Sequence, residues 1–171
     1  NAVQATAAPV FSAMSPSYAG FAAATGLLGF DDYTASPNAA FPLTEMRFVG
    51  GVSAVGGTIQ FDFADSVGAP VASFTVSFPV AGYYIWTIDD LGGLGITLPG
   101  SGRLALTATG ASIGRWYLST SAPTLGTEDR TGYGSLTTHS HRFELSTVPE
   151  PSSVIALIGG LGFMAARRRK A

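Results

Sequence analysis

Gly57-Thr58-Ile59-Gln60-Phe61-Asp62-Phe63 decides the fold. Apolar and polar residues alternate without a break, which sets Ile59, Phe61 and Phe63 on one face of an extended strand. Val71 to Phe78 continues the pattern, with Phe74, Val76 and Phe78 inward and Thr75 and Ser77 outward. Asp65-Ser66-Val67-Gly68-Ala69-Pro70 between them is a cluster of turn residues, so the two strands are expected to form a hairpin.

The same reading extends outward in both directions. Tyr83 to Ile88 places Tyr84, Trp86 and Ile88 on one face, and Arg103 to Thr109 places Leu104, Leu106 and Ala108 together. Ile113 to Thr120 opposes Trp116 and Leu118 to Arg115 and Tyr117, and Arg142 to Thr147 turns Phe143 and Leu145 inward. Leu27–Tyr33, Thr44–Val49 and a short Ile96–Leu98 complete about eight to ten strands at near-regular spacing. No stretch of the body shows a helical period. The fold class expected is all-β, an antiparallel β-sandwich or jelly-roll-like domain followed by a short C-terminal hydrophobic helix. Phe61, Phe63, Phe74, Val76, Trp86, Leu104, Trp116 and Phe143 are its predicted core. Three segments follow: a loosely structured lead-in over 1–26, the sandwich over 27–147, and a tail over 148–171. Residues 121–138 read as polar loop.

Composition agrees. Charged residues make up 12% of the chain, mean hydropathy is +0.31, and Gly numbers 22. A helical bundle would need more Glu, Lys and Gln for its wet faces. Up to residue 148 there are ten acids, five arginines and no lysine, a balance that excludes a phosphate-binding face and hence nucleic acid as a partner. There is no cysteine, which removes disulfides, thiol catalysis and thiolate metal sites together. A first residue that is Asn1 and not Met is read as a chain shown after signal-peptide removal, or as a fragment.

Chemistry-bearing clusters in the body are weak. His139-Ser140-His141 has usable metal spacing but no third ligand, and it reads as an exposed polar strand start. Asp31-Asp32, Asp62 with Asp65, and Asp89-Asp90 could hold a structural calcium at strand ends; solvated turn acids are the better reading. Tyr83, Tyr117 and Tyr133 could form a sugar-stacking platform, or merely cover an edge. No carboxylate pair and no Gly-x-Ser-x-Gly nucleophile stands out. The expectation is therefore no catalytic residue, no metal and no cofactor.

The tail is more informative. Pro149 and Pro151 bracket Glu150, and neither proline can donate a ladder hydrogen bond, so the last strand must stop there in an extended segment. An uncharged run follows from Val154 to Ala166, led by Val154, Ile155, Leu157, Ile158, Leu161 and Phe163. At helical rise it reaches about 20 Å against a hydrocarbon core of about 30 Å, a marginal span that needs flanking residues and snorkelling arginines. Arg167, Arg168, Arg169 and Lys170 close it, and a basic stop of this kind belongs on the cytoplasmic side.

This order of Pro-Glu-Pro, apolar helix and terminal arginines resembles the PEP-CTERM family of sorting signals over residues 148–170. The body is only loosely similar to the sandwich domains often joined to that signal. The resemblance implies processing by an exosortase, an inner-membrane transpeptidase. It also implies a transient inner-membrane anchor and delivery to the cell surface or an exopolysaccharide-rich extracellular matrix. The function expected is a non-enzymatic exported surface protein. The alternatives are a carbohydrate-binding module acting in the exopolysaccharide matrix, and a secreted hydrolase.

Overall fold

The computed structural model describes residues 6–15, 17–121, 129–130, 134–135 and 139–148, with the backbone alone for 17–19, 129–130 and 134–135. The expected membrane helix and basic stop, residues 154–170, lie outside these residues, as do Pro149, Glu150 and Pro151.

Sheet A contains β1 (Ala8–Ser12), β2 (Ser17–Ala24), β5 (Glu45–Val52), β8 (Gly82–Ile88), β11 (Gly114–Ser119) and β14 (Phe143–Thr147). The first half of β5 pairs with β14 and its second half with β11, while β8 lies along its other edge. Sheet B runs β13 (Gly134–Ser135), β12 (Asp129–Arg130), β3 (Leu27–Thr34), β10 (Ser101–Thr109), β6 (Thr58–Asp65), β7 (Pro70–Ser77). A small ladder joins β4 (Phe41–Pro42) to β9 (Thr97–Leu98), and a single 3-10 turn spans Leu91–Leu94. Every pairing is antiparallel.

The two sheets meet face to face over one apolar core. Phe48 of sheet A meets Phe61 of sheet B edge to face at 5.2 Å between ring centroids, and Phe11 meets Tyr33 at 6.2 Å. Each fully buried large apolar side chain contributes about 1.5–3 kcal/mol relative to exposure, and the aromatic seam shares the core with buried aliphatic residues such as Leu28, Leu43, Ile59, Leu104 and Leu145. Gly50 keeps the seam open opposite Trp116: a Cβ there would lie 2.8 Å from the Phe48 ring. The β6–β7 hairpin forms as the alternation predicts, and Asp65 closes its turn by accepting the N–H groups of Val67 and Ala69.

Several expectations change. Phe74, Val76 and Trp86 are half-buried, not core, because β7 and β8 are edge strands whose inner faces lie at the open side of the sandwich. The lead-in is not loosely structured throughout: β1 pairs with β14, and β2 pairs with β11. Its alanines hid the pattern for a packing reason. Ala22 is wholly buried in register with Trp116, and a small side chain there leaves room for the indole. The loop over 121–138 likewise carries β12 and β13, which extend sheet B beyond β3.

Candidate functional site

The body ends on β14, which is clamped on both sides. Leu145 lies between Phe11 of β1 and Met46 of β5, and Thr147 still pairs with Ala8. The carbonyl of Ser146 also accepts the N–H of Thr44 at 3.1 Å. The ladder therefore holds the chain up to the residue before Val148, and the prolines that follow cannot extend it. Val148 lines a shallow hollow of about 470 Å³ with Glu45, Asp89 and Asp90, so the tail departs from an acid-lined rim. Asp89-Asp90 occupies this connection as turn residues, with Asp90 in the left-handed region at φ 58°. Among the described residues no helix is long and apolar enough to cross a membrane.

The histidine pair is not an exposed strand start. His139 is half-buried, whereas Ser140 and His141 are buried, and the His141 ring stacks on Trp116 at 3.9 Å. The backbone N–H of His141 donates to the Asp31 carboxylate, whose Oδ2 lies 3.8 Å from His141 Nδ1. Asp31 and Asp32 are correspondingly not solvated turn acids. Both have no exposed surface, and Asp31 faces the core beside Leu104. Asp31 thus ties His141, two residues ahead of β14, to the middle of sheet B. Among the described residues no group of three His, Asp or Glu side chains converges as a metal site would require.

Tyr83 and Tyr117 do come together, on the outer face of sheet A, with centroids 6.3 Å apart. Phe21 joins them at 5.4 Å from Tyr117; Tyr133 lies outside the described residues. Arg115 occupies the middle of the cluster, with its guanidinium carbon 4.3 Å from the centroids of both Phe21 and Tyr83. That cation–π sandwich occupies one face of the Phe21 ring and one of the Tyr83 ring, so a sugar cannot stack on those two faces.

A second feature was not read from the sequence. On the outer face of sheet B, the register lines up Ser73, Asp62, Ala105 and Phe30 across four strands, with Arg103 and Ala64 in the next row. The two alanines leave a trough of about 530 Å³, bordered by Phe30, Arg103, Asp62 and the Gly68–Val71 end of the hairpin. Asp62 Oδ1 accepts from Gln60, and Arg103 Nη2 donates to the Ser66 carbonyl at 3.3 Å. Arg103 Nε is buried and has no partner among the described residues. Only cross-strand register makes these residues neighbours; they are scattered along the chain.

Fold and tail together define a class: a β-sandwich whose final strand runs straight into a C-terminal sorting segment. Residues 147–170 match the family model for the PEP-CTERM protein-sorting motif, so the chain carries a PEP-CTERM protein-sorting signal. That signal marks an exported protein which passes through a membrane-anchored precursor and is processed by an exosortase. No curated protein matches the chain.

Proposed function

We propose that this chain is a non-enzymatic protein of the cell surface or extracellular matrix. In this reading it is released from its inner-membrane anchor by cleavage near Pro149–Pro151. The observation that carries it is the position of the sorting signal, which begins where β14 ends. Cutting beyond Val148 leaves every described strand, β14 included, on the released body, so the sandwich leaves the membrane intact. The cut also removes Arg167, Arg168, Arg169 and Lys170, and the body that departs is more acidic. The buried placement of His141 and Asp31 supports a non-catalytic body, because neither group can meet a substrate without opening the core. Replacing Pro149-Glu150-Pro151 by three alanines in the native host tests the sorting step. The variant is expected to accumulate uncut in the inner membrane; normal release of the variant would refute the reading.

A second reading, a carbohydrate-binding module, is favoured by one observation, the trough of Phe30, Asp62, Arg103 and Ser73. Its volume falls in the range of small-molecule sites, and it offers an aromatic ring beside acceptor and donor groups. Binding of neutral and acidic polysaccharides, lost on Phe30→Ala and Arg103→Ala without loss of fold, separates it from the first reading. Retention on no polysaccharide would reject it.

A further inference from the structure

From Ser66 to Ile88 the chain holds no acid, lysine, arginine or histidine, and this stretch makes both strands at the open side of the sandwich. β7 ends sheet B there and β8 ends sheet A; among the described residues β8 pairs with β5 alone. Exposed edge strands usually carry a lysine, a proline or a bulge, since their free N–H and C=O groups invite another strand. β7 opens with Pro70. β8, Gly82-Tyr83-Tyr84-Ile85-Trp86-Thr87-Ile88, has none of these devices, and its register with β5 is unbroken from Val52 to Met46. Tyr84 is 52% and Ile85 54% exposed, and the half-buried Trp86 and Ile88 form the rim of the core beside them.

We propose that β8 is the docking edge for a second copy of this chain, pairing antiparallel with its own β8 about a two-fold axis at Ile85. Charge selects this occupant. The body carries ten acids and five arginines up to residue 148, so two copies repel each other over most approaches. The β7–β8 side is the stretch on which no like charges meet. The strand is also self-complementary. Centred on Ile85, the pairing sets Tyr84 of each copy opposite Trp86 of the other, and cross-strand aromatic pairs stabilise antiparallel ladders. Trp86 already meets Tyr84 edge to face at 5.7 Å and Phe78 at 4.9 Å within one copy, so dimerisation extends an existing aromatic cluster. A lipid surface is a poor occupant, because hydrocarbon leaves the edge amides unpaired. The contact is isologous and closes as a dimer, with sheet A continuous across it. It goes beyond the sorting reading, and its failure leaves that reading untouched.

The absence of cysteine supplies the test. In the full chain held in detergent, Ile85→Cys places one thiol of each copy at the axis. Directly opposed strand residues have Cα atoms about 4.5–5.5 Å apart, within disulfide reach. Val67→Cys, on the hairpin turn and 84% exposed, is the control. With oxidised glutathione as the two-electron acceptor, two Ile85→Cys chains are expected to join through a disulfide about tenfold faster than two Val67→Cys chains, because pairing raises the effective concentration of the thiols at the axis. Sedimentation should show a dimer for the unaltered chain and a monomer for Ile85→Lys, with unchanged β circular dichroism. Equal cross-linking at both positions would mean association through the tail and would overturn the proposal. An unaltered chain that stays monomeric, or takes up only vesicles or a foreign strand at β8, would overturn it as well.

Discussion

Replacing Asp31 by alanine removes the carboxylate that ties β3 to the approach of β14. Asp31 has no exposed surface; its Oδ2 accepts the N–H of His141 and its Oδ1 the N–H of Asp32 at 2.8 Å. The variant withdraws an acceptor from two backbone donors in the interior, and water cannot replace it without opening the sheets. A buried donor left unsatisfied costs about 1–3 kcal/mol, and removing one partner of a buried pair about 3–5 kcal/mol when both are charged. Release of the carboxylate's own desolvation cost offsets part of this, so the expected loss is about 3 kcal/mol. For a chain of this size that lowers Tm by about 6–12 °C. Urea unfolding at pH 7, followed by circular dichroism, measures it, and Asp31→Asn, which keeps one acceptor oxygen, should lose less. A loss under about 1 kcal/mol for Asp31→Ala would show that the contact carries no weight. The consequence for sorting is local: β14 would open more readily at its start, ahead of the processing segment.

Tyr33 gives a prediction in pH. Burial pushes its hydroxyl well above the ordinary tyrosine value, and the hydroxyl has no partner among the described residues. The folded state therefore keeps this proton where the unfolded chain releases it, so stability is intact below about pH 10 and falls by about 1.4 kcal/mol per pH unit above it. Tyr33→Phe should be near neutral at pH 7 and should flatten that alkaline decline in urea titrations; an unchanged decline would refute it. Asp65→Ala removes the acceptor of two turn amides and should cost about 1 kcal/mol in urea unfolding, with no change in β content. Ala22→Leu should overpack the site opposite Trp116 and cost about 1–3 kcal/mol, read by thermal unfolding.

The strands that were legible in the sequence are those with strict alternation. β6 and β10 each bury one face against the core and wet the other, and their bulky inward residues announce it. β2 was not legible because its partner strand supplies the bulk that its own alanines lack, and β1 because its five residues around Pro9 are too short to show an alternation. The hidden chemistry has the same origin. His141 looked exposed because it follows a polar loop, yet Trp116 and Asp31, distant in sequence, close over it. The trough on sheet B is a product of register, and local composition does not encode register across four strands. The sorting signal was legible because each part acts where it stands: prolines that end a ladder, an uncharged run, and a basic stop, in order.

The most direct test is the intact mass of the protein recovered from the surface fraction of an exosortase-bearing native host. Cleavage at the sorting signal predicts a C-terminus near residue 150, with the apolar run and Arg167–Lys170 gone and β14 retained. Full-length chain at the surface, still ending in its arginine cluster, would contradict the account.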